Sequence, residues 1–131
     1  ISLGGMLAVH QAQRCADGLA GLCLLAPYGG SRLTTNAIER AGGLQAWQPT
    51  DAQKADVEFQ LWLALREGRP RLPAFVGYGR QDRFADTMAA LAGHLPSASV
   101  HMVTGGHDWA AWLPLWGRFL HWLPTSQERS Q

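Results

Sequence analysis

The stretch LAGLCLLA, residues 19–26, is apolar throughout apart from one glycine. A strand with one solvent-exposed face alternates apolar and polar residues, whereas a strand covered by helices on both faces reads as an almost continuous apolar run. This stretch therefore predicts a buried strand inside a parallel sheet that carries helices on both sides.

Two further short apolar runs follow, Ala74–Tyr78 and Ser99–Val103, and stretches with helical periodicity separate all three. Such alternation is typical of βαβ units. We predict an α/β fold in a single domain of 131 residues, with a parallel sheet of about three strands and flanking helices. The predicted helices cover residues 4–16, 36–43, about 51–68 with Thr50 or Asp51 as the N-cap, 84–94, and a last helix that starts or kinks near Leu113.

The composition excludes several classes of partner. Hydrophobic residues make up 47% and charged residues 16%, and the net charge is +1. This balance provides no electrostatic basis for binding nucleic acid or an anionic membrane, and no apolar run reaches the ~18 residues of a membrane span. Two cysteines, Cys15 and Cys23, are too few for a disulfide framework. We expect both to be reduced, which favours a cytoplasmic protein.

Three residues with catalytic chemistry stand where strands end and helices begin. Ser2 opens the chain in ISLGG, residues 1–5; Asp82 lies in GYGRQDRF, residues 77–84; and His107 lies in GGHDW, residues 105–109. Taken alone, ISLGG also fits a flexible N-terminal cap. Because chemistry in open α/β sheets gathers at the carboxyl ends of strands, the three side chains are expected to meet there.

The segments ISLGGMLA, VGYGRQDRF and VTGGHDWAAW resemble the nucleophile elbow, acid loop and histidine loop of α/β-hydrolase-fold serine hydrolases. The order Ser, Asp, His is that of this family. The resemblance runs from Ile1 to about Leu123, and GGHDW is closer to the carboxylesterase-like members than to the proteases. The strands that precede the elbow, and the first glycine of G-x-S-x-G, are absent. We therefore expect the chain to be the C-terminal part of such a fold.

The resemblance implies a role for each residue. Ser2 would attack an acyl carbonyl, His107 would act as the base, and Asp82 would orient the imidazole. The backbone N–H of Leu3 would be one donor of the oxyanion hole, while the loop that supplies the second donor in this family is missing. Loss of one such donor costs about a hundredfold or more in rate, so we expect little turnover from this chain alone.

The first strand would leave an open sheet edge, because the strand before Ser2 should pair with it. Open edges are a hazard unless they are covered. We expect the edge to be covered either by a missing N-terminal half or by a second copy in a homodimer.

Other polar residues are weaker candidates. Asp86 lies one helical turn beyond Asp82 and is expected to be a solvated charge, and Asp108 is expected to cap the last helix. No HxH, HExxH or paired-carboxylate spacing supports a metal site, and no cofactor is implied. The remaining histidines lie within predicted helices or a strand: His10, His94, His101 and His121.

Several positions allow two interpretations. Tyr28 and Ser31 follow the first strand and either border a substrate pocket or are ordinary loop residues. Trp47 and Trp62 belong either to a small helical cap inserted at residues 35–68 or to the core. The last helix carries three tryptophans on one helical stripe, which predicts that all three are core residues: Trp109, Trp112 and Trp116.

The sequence favours a serine hydrolase that cleaves a small carboxylic ester, and it does not separate an esterase from a thioesterase or a lipase. The alternative is a catalytically silent α/β module used for interaction or oligomerisation. A nucleotide-binding Rossmann-like domain is disfavoured, because no glycine-rich phosphate loop follows any strand.

Overall fold

A computed structural model describes the backbone of residues 1–129 and the side chains of residues 1–123. Helices and strands alternate through most of this range, as the apolar runs predict. Three strands and six helices are formed by the described residues: α1 (Leu3–Arg14), β1 (Leu22–Leu25), α2 (Arg32–Arg40), α3 (Asp51–Lys54), α4 (Val57–Arg66), β2 (Ala74–Gly79), α5 (Ala85–Gly93), β3 (Ala98–Val103) and α6 (Trp109–Arg129).

The three strands form one parallel sheet in the order β1-β2-β3. Leu22 pairs with Ala74 at the start of the first ladder, and Ala74 pairs with Ala98 at the start of the second. The central strand β2 is buried at all six positions. The α/β architecture with a parallel three-stranded sheet is thus confirmed, and the carboxyl ends of all three strands lie at the same edge.

Helices cover both faces of the sheet, and each face has its own apolar cluster. Because successive strand residues point to opposite faces, Leu24 and Val76 belong to the larger cluster with α1, α4 and α5. Leu25 and Phe75 point the other way and pack against Ala111 and Leu115 of α6.

Two predicted elements have different bounds in the structure. The first strand covers four residues rather than eight, because its partner β2 begins only at Ala74, opposite Leu22. The helix predicted at about 51–68 is divided into α3 and α4. Asp56 lies at the division and accepts a hydrogen bond from the backbone N–H of Glu58 at 2.8 Å, so it acts as the N-cap of α4.

The tryptophans of α6 are not all core residues, so that prediction was wrong. Trp109 and Trp116 are 64% and 45% exposed, and only Trp112 packs against the two clusters. The helix is apolar on several sides, so its spacing also fits a neighbouring stripe through Ala111 and Leu115, and that stripe faces the sheet.

Trp47 and Trp62 both lie in the larger core cluster, which agrees with the core interpretation. The indole N–H of Trp47 donates to Gln53 Oε1 at 3.1 Å, and that of Trp62 donates to the carbonyl of Gly29 at 2.7 Å. The burial of both rings attaches residues 35–68 to the core. That residues 35–68 form a separate helical cap stays a prediction.

Among residues 1–129, none of the helices combines the length and the apolar character needed to cross a lipid bilayer.

Replacement of a buried leucine should destabilise the fold far more than replacement of an exposed one. Leu24 is fully buried in the centre of β1, so Leu24→Ala should lower the free energy of unfolding by about 2–5 kcal/mol. The matched control is Leu33, which is 85% exposed on α2. Leu33→Ala should change the free energy of unfolding by less than ~0.5 kcal/mol. Urea denaturation of both variants provides the measurement. An equal loss of unfolding free energy in the two variants would contradict the assigned core.

The two free cysteines should differ in reactivity. Burial under α6 raises the pKa of the Cys23 thiol to about 11, whereas Cys15 is exposed. Since the thiolate is the nucleophile, iodoacetamide at pH 8 should alkylate Cys15 and leave Cys23 largely unmodified. Cys23 should react only as the pH rises toward its pKa. Peptide mass spectrometry gives the two rates, with Cys15→Ser as control; fast alkylation of Cys23 at pH 8 would refute its burial.

Candidate active site

Ser2 occupies a tight turn that leads into α1. Its backbone has φ 52° and ψ −122°, a left-handed conformation that a residue with a side chain rarely adopts. The Ser2 N–H donates to the carbonyl of Leu25 at 3.1 Å, and the Ser2 carbonyl accepts from the N–H of Tyr28 at 2.9 Å. Hydrogen bonds on both sides of the residue therefore hold it in this conformation, beside the carboxyl end of β1.

The close packing of this turn lies at Gly5 rather than at Gly4. A Cβ at Gly5 would lie 3.0 Å from the Cα of Pro27, whereas a Cβ at Gly4 would meet no atom of the described residues within 4 Å. The small residue is needed where α1 crosses the loop after β1. The motif G-x-S-x-G places its second glycine at Gly4, so among the described residues the close approach lies one position later than the motif indicates.

Asp82 lies in the turn between β2 and α5, and its side chain is 0% exposed. One carboxylate oxygen, Oδ1, accepts from the backbone N–H of Phe84 at 2.9 Å. The other, Oδ2, lies 2.7 Å from His107 Nδ1. Burial of an ionised carboxylate is costly unless hydrogen-bond donors compensate for it, and these two donors do so.

His107 lies in the loop between β3 and α6, with its side chain 24% exposed. Its second ring nitrogen, Nε2, lies 3.0 Å from Ser2 Oγ. Because the Asp82 carboxylate only accepts hydrogen bonds, Nδ1 carries the proton and Nε2 is free to accept from the serine hydroxyl. The structure thus brings together Ser2, His107 and Asp82, three residues that the sequence separates by up to 105 positions.

Aromatic rings enclose the imidazole, and the sequence did not indicate them as site residues. Phe84 and Trp112 both meet the ring of His107 edge to face, with centroids 5.9 and 5.2 Å away. Each ring lies within five residues of Asp82 or His107, so proximity in the sequence was the available signal. Their packing limits rotation of the imidazole.

The acid loop and the histidine loop are bonded directly to each other. The Gln81 N–H donates to the Gly105 carbonyl at 2.9 Å, and the Gly105 N–H donates to Gln81 Oε1 at 2.6 Å. The end of β2 comes so close that a Cβ at Gly79 would collide with the Gly105 carbonyl. This junction sets the spacing between Asp82 and His107.

The other predicted site residues lie around Ser2. Leu3 begins α1, and its backbone N–H has no hydrogen-bond partner in the described part of the chain, as expected for the first turn of a helix. Tyr28 is half-buried beside Ser2, and burial, with a smaller contribution from Glu58, raises the pKa of its phenol. Ser31 is the N-cap of α2. Contact of Tyr28 or Ser31 with a substrate stays a prediction.

The competing carboxylates have the places that the sequence predicts. Asp86 is exposed in the first turn of α5, and Asp108 caps α6 by accepting from the N–H of Ala110 at 3.1 Å. His101 stacks on Phe75, and burial followed by the charge of Arg118 lowers its pKa. In the part of the chain that the structure describes, three or more potential metal ligands never cluster in a way that could hold an ion.

Comparison with known proteins identifies the fold. No protein-family model and no curated protein matches the sequence. Among solved structures, the chain is similar to an S-formylglutathione hydrolase from Staphylococcus aureus, with a TM-score of 0.58, 20% identity and 92% of this chain covered. It is also similar to a ferulic acid esterase, with a TM-score of 0.55, 18% identity and 85% of this chain covered. The chain has the fold of these esterase-like hydrolases, and it spans 47% and 44% of their lengths.

An alanine at position 79 should break the junction between the two loops. The added methyl group has no room beside the Gly105 carbonyl, so Gly79→Ala should move the histidine loop away from Asp82. Gly93→Ala at the end of α5, where a Cβ meets nothing, is the matched control. The His107 Nδ1 proton, followed by NMR at low temperature, should lose its downfield signal only in Gly79→Ala. An unchanged signal would contradict the assigned contact.

Proposed function

We propose that this chain carries the nucleophile, base and acid of a serine hydrolase that cleaves a small carboxylic ester. The observation that carries the proposal is the continuous pair of hydrogen bonds from Ser2 Oγ through His107 to Asp82, at 3.0 and 2.7 Å. A serine with an imidazole in hydrogen-bond reach, itself oriented by a buried carboxylate, is the arrangement that activates a hydroxyl for attack.

The reaction proceeds through an acyl-enzyme. Ser2 Oγ attacks the carbonyl carbon of the ester while its proton passes to His107 Nε2, and the tetrahedral intermediate forms. His107 then gives that proton to the departing alcohol as the ester bond breaks. Water then attacks the carbonyl carbon of the acyl-serine while His107 Nε2 takes one of its protons. As the bond from that carbon to Ser2 Oγ breaks, His107 returns the proton to Oγ, so the carboxylic acid leaves and Ser2 is restored. Asp82 stabilises the imidazolium in both steps and is not itself protonated.

Two features support acyl chemistry at this site. The Leu3 N–H at the start of α1 is a donor of the kind that stabilises the developing oxyanion. Both structural neighbours are named as hydrolytic enzymes, one for S-formylglutathione and one as a ferulic acid esterase. Because they share the fold at low identity, the proposal is limited to the reaction class and a small ester. The division between esterase, thioesterase and lipase depends on the acyl and alcohol pockets.

A fluorophosphonate probe tests the proposal, because it forms a covalent adduct with an activated serine without needing complete turnover. The wild-type chain should form one adduct on Ser2, and Ser2→Ala should form none. His107→Gln should slow labelling by about a hundredfold or more through loss of the base. The exposed Ser97 offers a matched control, since Ser97→Ala should label at the wild-type rate. Intact-mass spectrometry over time gives these rates.

A wild-type chain that remains unlabelled, or an adduct that persists in Ser2→Ala, would contradict the proposal. The first outcome would favour the catalytically silent module instead.

A further inference from the structure

The loop between β1 and α2 adjoins the candidate nucleophile. We call residues 26–31, APYGGS, the Tyr28 loop. The Tyr28 N–H donates to the Ser2 carbonyl at 2.9 Å, and the Ser2 N–H donates to the residue before this loop, Leu25, at 3.1 Å. A left-handed backbone at a non-glycine residue costs about 1–3 kcal/mol and persists only where its surroundings impose it. The conformation of Ser2 therefore depends on where this loop lies.

Helix α4 holds the far side of the same loop. Glu58 Oε1 accepts from the Ser31 N–H at 2.6 Å and from the Thr34 hydroxyl at 3.0 Å. One turn further along, the indole N–H of Trp62 donates to the Gly29 carbonyl at 2.7 Å. Residues four apart lie on the same side of a helix, so Glu58 and Trp62 hold the loop as a pair.

The sequence of the Tyr28 loop leaves room for the Glu58 carboxylate. Gly30 has φ +102°, and a Cβ there would lie 2.9 Å from Glu58 Oε1. The positive φ favours a glycine at this position, and the lack of a side chain leaves room for the carboxylate. Hydrogen bonds to an ionised acceptor are stronger than neutral ones, and Glu58 accepts two hydrogen bonds here, from Ser31 and Thr34.

We propose that Glu58 is a positioning residue for the reaction: by holding the Tyr28 loop, it keeps Ser2 in the strained conformation that aims its hydroxyl at His107. The inference rests on the proposed function for its kinetic consequence. Glu58 acts through Ser31 and Tyr28 and does not touch the reacting atoms. Helix α4 would then support the position of Ser2 as well as contribute to the core.

Fluorophosphonate labelling kinetics on the 131-residue chain test this role. Glu58→Ala should lower the maximal labelling rate constant about tenfold, the effect expected from loss of a charged hydrogen-bond acceptor. Its half-saturating probe concentration should stay within about twofold of the wild-type value, because Glu58 has no direct contact with Ser2. Glu58→Gln, which keeps an acceptor oxygen without the charge, should recover part of the rate. The exposed Glu39 of α2 is the matched control, and Glu39→Ala should label like wild type.

A purely structural role would give a different pattern. Irreversible unfolding would reduce the final labelled fraction and leave the rate constant unchanged. Reversible unfolding would lower the observed rate constant only in proportion to the folded fraction, which circular dichroism measures. If Glu58→Ala does not fold, Glu58→Gln and Thr34→Val remain, and each should slow labelling about threefold. In Glu58→Gln the acceptor loses its charge, and in Thr34→Val one hydrogen bond is lost. Unchanged rate constants in all folded variants would overturn the proposal.

Amide hydrogen exchange separates this inference from the proposed function. The Tyr28 N–H should lose about tenfold in protection in Glu58→Ala and keep it in Glu39→Ala, whether or not the probe reacts. If the wild-type chain is not labelled, but the protection of the Tyr28 N–H falls in Glu58→Ala, the proposed hydrolase function alone is refuted. If the wild-type chain is labelled, but neither the protection of the Tyr28 N–H nor the labelling rate constant changes in Glu58→Ala, the positioning role alone is refuted.

Discussion

The buried carboxylate of Asp82 imposes the main constraint on this structure. Its side chain is closed off from solvent, so its negative charge requires donors from within the protein. The Phe84 N–H, which follows in the same turn, supplies one of them, and His107 supplies the other from a loop 25 residues away. The two loops must therefore meet at a fixed separation, and the bonds between Gln81 and Gly105 keep them there. The tautomer of His107 follows from the same requirement.

The serine depends on a second set of contacts, on the other side of the imidazole. Ser2 is strained, and two of its backbone hydrogen bonds go to Leu25 at the end of β1 and to Tyr28 in the loop that follows. Those residues are in turn held by α4 and by the close packing of Gly5 on Pro27. The sheet thus supplies a common edge for three loops, while helices on one face set the position of Ser2. The geometry of the candidate site therefore depends on the packing around Ser2, His107 and Asp82 as well as on these three side chains.

Local signals in the sequence were reliable where the cause is local. The apolar runs of β1 and β2 follow from burial on both faces, and all three strands were placed correctly to within a few residues. Asp108 and Thr50 cap helices as their residue types predict. The three-residue constellation was also accessible, because parallel strands carry their following loops to one edge and the motifs mark those loops. The meeting of Ser2, Asp82 and His107 in the structure agrees with that expectation, and their catalytic roles remain the proposal made above.

The sequence by itself determined the alternation of strands and helices and the caps at Thr50 and Asp108, since each depends on neighbours a few residues away. Only the tertiary structure decided which stripe of α6 is buried, because an apolar helix offers more than one and the sheet selects among them. It alone showed that Gly5 rather than Gly4 is closely packed, and that Glu58 reaches the loop beside Ser2. These depend on approach distances between segments that lie far apart in the sequence, and no residue pattern records such distances.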